Sequence, residues 1–253
     1  MTSRLQAQEL ARRTGDTVAI PGEYQHHATH QSAYGAQRFW HQQRFQTCVE
    51  LLDVASGMRI LDAGCGSGVF ADRVAHTTGV QVLAVDANEA AVRFARETYA
   101  RPNLTVQRGH VDTLALEPAS FDRIACLEVI EHIHLAQARV MLATFAKLLK
   151  PGGKLLVSTP NARSAWPAIE WLLDRLKLTA ALEGEQHVIT YNARTLSDLA
   201  LSVGLTPLAS RTLFIAAPFL AAVSWPLAER LHALEQRLPL AAGALLLQVF
   251  AHA

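Results

Sequence analysis

The sequence predicts an α/β fold, a seven-stranded and mostly parallel sheet with helices on both faces and an N-terminal helical cap. Three observations carry that expectation. Beyond residue 58, short apolar runs alternate with stretches of helical spacing, as successive β and α units of a parallel sheet do. A glycine-rich turn, Gly64 to Gly68, stands directly between the first apolar run and the first helical stretch. Half of the 253 residues are apolar, so a domain of this length can bury a sizeable core.

Residues 1–57 are polar and rich in Gln and His, and they read as the cap. Their one helical segment, Gln37 to Val54, has Phe39, Trp40, Phe45, Val49 and Leu52 as apolar anchors. Tyr24, Tyr34 and Trp40 are assigned to an N-terminal lid. His26, His27, His30 and His41 cluster here too, without any fixed ligand spacing.

Residues 58–253 form the sheet domain. The runs Arg59 to Ala63, Gln81 to Asp86, Leu104 to Gly109, Phe121 to Cys126 and Gly153 to Thr159 are too short for helices and rich in Val, Leu or Ile, so each is a strand. Between them, Val69 to His76, Glu89 to Tyr99 and Ala136 to Leu149 have helical spacing, and the last stops at Lys150-Pro151-Gly152-Gly153. An insertion at about 160–190 interrupts the alternation with a Trp- and Leu-rich stretch, Trp166 to Leu182, expected over the C-terminal edge of the sheet. Thr195 to Val203 resumes helical spacing. A strand near Leu208 to Ala216, a helix from Leu220 to Leu238 and a strand from Leu245 to Ala251 complete the expected order.

The formal net charge is +1 with the two signs mixed along the chain, so nucleic acid is not an expected partner. Cys48, Cys65 and Cys126 have unrelated spacings, which fits neither a disulfide framework nor a thiolate metal site, and points to a reducing cytoplasm. Arg4, Glu9, Arg12 and Arg13 leave no apolar stretch for a secretory leader. The uncharged stretches Thr212 to Ala228 and Leu238 onward fall short of the ~20 apolar residues of a spanning helix.

The chemistry starts at Asp62-Ala63-Gly64-Cys65-Gly66-Ser67-Gly68. Glycines at 64, 66 and 68 let the backbone turn and approach a ligand without a Cβ in the way. Asp86 ends the second strand, where a carboxylate can take both hydroxyls of a ribose. Together the two signals point to a nucleoside-type cofactor, the plainer alternative being a helix N-cap after a packing turn. A dinucleotide turn would place glycine three residues after Gly66, where Val69 stands.

On these residues the chain resembles the class I S-adenosylmethionine (SAM)-dependent methyltransferases, which have a Rossmann-like sheet. The resemblance implies that Gly64, Gly66 and Gly68 pass along SAM, that Asp62 anchors its ammonium group, that Asp86 holds its ribose, and that Ala87 lies beside the adenine. Relatives place an Asp near the adenine after the third strand. Here that stretch is Gly109-His110-Val111-Asp112, and either His110 or Asp112 can make the contact.

Glu128-Val129-Ile130-Glu131-His132 follows the fourth strand. Read as a helix start, it puts Glu128, Glu131 and His132 at i, i+3 and i+4 on one face, a donor set that suits Mg²⁺, Mn²⁺ or Zn²⁺. The ubiquinone-biosynthesis O-methyltransferase family is similar from Arg44 to Leu205. It has the same Glu-x-x-Glu-His pattern and a later His, matched by His187, and an Arg for the SAM carboxylate, matched by Arg44. By that resemblance Glu128, Glu131, His132 and His187 hold a metal. The alternative is a metal-free site in which His132, beside Glu131, is the general base.

The expected function is therefore SAM-dependent O-methylation of a small, lipophilic phenolic or quinol-like acceptor. Two alternatives stay open: a sugar, lipid, secondary-metabolite or RNA 3′-end hydroxyl as acceptor, and a non-catalytic SAM-binding module. Residues 164–176 alternate apolar and charged residues at helical spacing, and the stretch 164–182 can roof the acceptor pocket, rest on a membrane surface or simply pack on its own domain, the protein being expected in the cytoplasm or at a membrane's inner face.

Overall fold

The computed structural model describes residues 21–164, 188–237 and 241–252. The expected insertion helix and His187 lie outside the described residues.

Seven strands, β1 (Arg59–Ala63), β2 (Gln81–Asp86), β3 (Leu104–Arg108), β4 (Phe121–Leu127), β5 (Leu149–Pro160), β6 (Leu205–Leu213) and β7 (Leu245–His252), form one sheet in the order β3-β2-β1-β4-β5-β7-β6. The pairs among β1 to β5 are parallel, and β7 runs antiparallel to both β5 and β6. Both faces are covered, so the central strands read as continuous apolar runs rather than alternating ones. Successive side chains point to opposite faces. Ile60, Ala84, Ala125 and Leu156 join one buried layer with α1 (Gly35–Leu52) and α2 (Val69–Ala75), while Leu61, Val85, Ile124 and Leu155 join the other with α4 (Leu135–Leu148) and α5 (Ala193–Leu201).

The helices have local reasons for their ends. Asn88 caps α3 (Glu89–Thr98), its side chain accepting from the Ala90 and Ala91 amides. At the far end of α1, Asp53 takes a left-handed conformation, and the buried Arg123 of β4 donates to the Leu52 carbonyl at 2.7 Å and the Asp53 carbonyl at 3.3 Å. Two last-turn carbonyls are thereby satisfied from the sheet, which fixes α1 against β4 and sets the position of the side chains it carries.

The C-terminal region departs from the expected pattern in three places. The single helix expected from Leu220 to Leu238 is two, α6 (Ala217–Ala221) and α7 (Trp225–Arg237), with Pro218 and Pro226 each near a helix start, where a missing amide hydrogen costs nothing. Glu235 of α7 reaches back to the entry of α6, its carboxylate accepting from Ile215, Ala216 and Ala217 at 3.3, 2.8 and 3.1 Å. Strand β6 begins at Leu205, earlier than expected, and it accommodates Pro207 because it is an edge strand with a register shift at that point. Strand β5 begins at Leu149, at the breaker cluster, with a bulge between Phe121 and Arg123 of its partner.

Replacing Glu235 by Ala should leave three amides without their acceptor and lower unfolding stability by about 1–3 kcal/mol. Urea denaturation would check it, and a change below about 0.5 kcal/mol would show that water serves these amides equally well.

Candidate functional site

The site is built where β1, β2, β4 and β5 end. Gly64 and Gly66 have φ of +80° and +51°, a backbone region that side chains disfavour. A Cβ on Gly64 would stand 2.3 Å from Val129 Cγ2, so the turn passes hard against the segment after β4. The amides of Gly64 and Cys65 both donate to the Val85 carbonyl, at 2.8 and 3.0 Å, and Gly68 begins α2.

Asp86 locks this turn. Its Oδ2 accepts from the Gly66 amide at 2.7 Å and its Oδ1 from the Asn88 amide at 2.8 Å, so one carboxylate ties the glycine turn to the start of α3. Ala87 follows, half-buried. The Gly109 amide donates to the Asp86 carbonyl at 3.0 Å, which brings the next loop alongside. In that loop Val111 is buried against the core, while His110 and Asp112 are exposed.

Asp62 lies at 2% exposure on β1, and its Oδ2 has no hydrogen-bond partner among the described residues. Burial, then the nearby Asp86 charge, pushes its carboxyl up to about 8, against smaller lowering effects of the Ala71 amide and Arg44. Arg44, carried by α1, is 4% exposed with its guanidinium over the Phe45 ring. It donates to His41 Nδ1 at 3.3 Å and faces Glu128 Oε2 at 3.7 Å, and its Nε is unpartnered among the described residues. Burial, then the Arg44 charge, holds the His41 pKa well below its usual value, so this imidazole is neutral and its Nδ1 accepts.

The segment after β4 does not begin a helix, which corrects the expected shared face of Glu128, Glu131 and His132. Glu128 has φ of +57°, a 3₁₀ turn covers Ile130–His132, and α4 starts only at Leu135. Glu128 accepts from Ser158 Oγ at 3.0 Å and faces Arg44. Glu131 is 1% exposed, with both carboxylate oxygens unpartnered among the described residues, and His132 Nε2 lies 4.0 Å from its Oε1. Burial, then the Glu128 charge, raises the Glu131 pKa well above the carboxylate range. Among the described residues, no group of three His, Cys, Asp or Glu side chains is placed to hold a metal ion.

Several residues at the site carried no signal in the sequence. Gln25, in the helical turn Tyr24–His26, places its carboxamide over Gly66, 2.6 Å from where a Cβ would be. The next amide, of His26, donates to Ser67 Oγ at 2.9 Å, and His26 Nδ1 meets the Tyr99 hydroxyl at 2.6 Å. A π-helical segment, His27–Gln31, follows, tied to α1 by Gln42 donating to the Thr29 carbonyl at 2.9 Å. Deeper in, the Thr159 and Tyr191 hydroxyls are buried and unpartnered among the described residues. The contacts of Gln25 and His26 span long separations in the chain, which no local pattern encodes.

Comparison with known proteins agrees with this geometry. A family model described as a methyltransferase domain matches residues 39–210. Among curated relatives, the ubiquinone biosynthesis O-methyltransferase of Xanthomonas euvesicatoria pv. vesicatoria (strain 85-10) is 39% identical over 115 residues, 44% of this chain and 46% of that protein. That of Xanthomonas oryzae pv. oryzae (strain PXO99A) is 40% identical over 119 residues, 45% and 47% of the two chains. The chain thus spans about half the length of the curated relatives it matches. Among solved structures, the N-methyltransferase NodS from Bradyrhizobium japonicum WM9, in complex with S-adenosyl-L-homocysteine, superposes with a TM-score of 0.59 at 15% identity over 95% of this chain and 97% of that one. The 4+2 cyclase SpnF gives 0.63 at 17% over 98% and 94%. These two share the fold, and their different activities show that the fold alone does not name a reaction.

Because folding raises the Asp62 pKa from 3.8 to about 8, the folded protein holds that proton more tightly than the unfolded chain. The resulting stabilisation is full below the ordinary value and is lost as pH rises through about 8. Asp62→Asn should therefore flatten the pH dependence of the melting temperature of ligand-free protein and raise it at alkaline pH. A slope unchanged from the wild type would remove Asp62 as its source.

Proposed function

Because the chain belongs to the methyltransferase-domain family, we propose that it transfers the methyl group of SAM to an oxygen of a small, lipophilic phenolic or quinol-like acceptor. The observation that carries this reading is the pair Asp62 and Arg44. Both are buried, one is a carboxyl and the other a guanidinium, and each has an unpartnered atom among the described residues, close to a glycine turn that keeps the backbone bare. The α-ammonium and α-carboxylate of an amino acid are the complementary charges. The residues present therefore fit the methionine end of SAM, with Gly64, Gly66 and Gly68 along it. Asp86 would take the ribose, and Ala87 with the loop of His110, Val111 and Asp112 would face the adenine.

When bound, SAM supplies a methyl carbon on a sulfonium, open to in-line attack. The protein's share is to orient the acceptor oxygen and relieve it of its proton. His132 is the proposed base, with the Glu131 carboxyl beside its ring to orient it. The cap, residues 1–57, is proposed as the lid that excludes water, with Gln25 moving off Gly66 to admit the cofactor.

A divalent ion held by Glu128, Glu131, His132 and His187 is the variant expected from the sequence. The described residues do not fit it, because Glu128 is committed to Ser158 and Arg44. Among the described residues no helix is long and apolar enough to cross a membrane. The proposal that residues 164–182 bring the cytoplasmic enzyme to a membrane surface rests on their amphipathic sequence and on the lipophilic acceptor.

SAM or S-adenosylhomocysteine should raise the melting temperature and NAD should not, since the turn and Asp86 suit a mononucleoside. Asp86→Ala should weaken SAM binding by about 1.5–3 kcal/mol, and a loss of less than about threefold in affinity would end its ribose role. With an active acceptor, His132→Ala should lose turnover by about 10²–10⁴-fold while a chelator leaves the rate unchanged. A chelator that abolishes turnover, with recovery on adding Mg²⁺, Mn²⁺ or Zn²⁺, would restore the metal reading. Binding of SAM with no S-adenosylhomocysteine formed from any acceptor would favour a non-catalytic module.

A further inference from the structure

At the outer edge of the sheet, on the same end as the candidate site, lies a concavity of about 100 Å³ lined by Asn161, Arg163, Ala193, Ser210, Arg211 and Thr212, among others. A single water needs only roughly 10–15 Å³ on this measure, so a small chemical group has room. One wall is held firmly. Asn161, 4% exposed, donates to the Ala241 and Gly243 carbonyls at 2.9 and 2.8 Å, and its Oδ1 accepts from the Arg163 amide at 3.1 Å.

The charge of the pocket is one-sided. Among the described residues, no Asp or Glu lines it. Neither the Arg163 nor the Arg211 guanidinium has a partner among the described residues, in contrast to Arg194 nearby, which pairs with Asp198 at 3.8 Å. Helix α5 begins at Ala193, so its N-terminal partial positive charge lies at the same wall. The Ser210 hydroxyl adds a donor.

We propose that this concavity is an oxyanion site that takes a carboxylate or phosphate group between Arg163 and Arg211. Planar guanidinium forks match both groups in geometry and charge, whereas a neutral ligand would leave the arginines uncompensated. Two sources can supply the group: a free anion, or an anionic end of the methyl acceptor. Strand β6 is three strands from β4 in the sheet, roughly 14 Å at about 4.8 Å per strand, so an acceptor of that length could reach both sites. This second source alone rests on the methyl-transfer reading.

Calorimetric titration of the whole chain with inorganic phosphate at low ionic strength tests the site without any turnover. Binding should saturate, weaken about tenfold or more in Arg163→Gln and in Arg211→Gln, and stay unchanged in Arg139→Gln, an exposed residue of α4. Methyl transfer to a phenol and to its carboxylate-bearing counterpart then separates the sources. A lower KM for the carboxylate, lost in both variants with kcat for the neutral phenol intact, assigns the group to the acceptor. Equal KM values with arginine-dependent phosphate binding assign it to a free anion. Phosphate binding that is absent or indifferent to both arginines, with no arginine-dependent KM difference, overturns the proposal. Arginine-dependent phosphate binding by a protein that transfers no methyl group upholds it and counts against the methyl-transfer reading alone.

Discussion

Arg44, Asp62 and Glu131 lie out of water at one end of the sheet, with the half-buried Glu128 beside them, and the electrostatic cost of burying them governs the surrounding structure. A charge removed from water is tolerated only when paired, hydrogen-bonded or neutralised by a proton. Each of these solutions occurs here. Arg44 and Glu128 face each other, with Ser158 completing the Glu128 contacts, whereas Asp62 and Glu131 have their carboxyls driven toward the protonated form. The neutral His41 ring, held that way by burial and by Arg44, accepts from the guanidinium without adding a second positive charge.

That cluster depends on helix placement. Arg44 reaches the strand ends because α1 is fixed on β4 through Arg123 and the last carbonyls of the helix. The glycine turn comes close because Gly64 has no Cβ to strike Val129, and Asp86 holds it by gripping the Gly66 amide. Cap, strand and turn are thus coupled, and unpartnered buried atoms remain where they meet. Buried polar atoms are ordinarily satisfied. Among the described residues, such unpartnered atoms gather here on Arg44, Asp62, Glu131, Thr159 and Tyr191, which supports the proposed binding of a charged ligand at this end.

The fold was largely legible in the sequence because its signals are local. Strands Arg59–Ala63 and Gln81–Asp86 have the bounds that their apolar runs predict, and α2 and α3 end within one residue of expectation. Burial on both faces writes each central strand as a continuous apolar run, and Pro, Gly and Asn punctuate the helices. The glycine turn and Asp86 were legible for the same reason, as a backbone requirement and a strand-end carboxylate within one βαβ unit. The C-terminal helices were less so: Glu235 of α7 reaches back to amides at 215–217 ahead of α6, a contact between elements rather than a pattern within one.

What the sequence by itself determined, then, is the order of elements, the bare turn, and the residue types available at the strand ends. What only the tertiary structure decided is how those side chains face one another. A helical reading placed Glu128, Glu131 and His132 on one face, but residue 128 is left-handed and its carboxylate contacts Ser158 and Arg44. The partners lie on β5 and on α1, 30 and 84 residues from Glu128 in the chain. Spacing in a sequence encodes neighbours along a helix or strand, whereas the pairing of buried charges is decided by which elements pack together, because only packing excludes the water that would otherwise keep them apart.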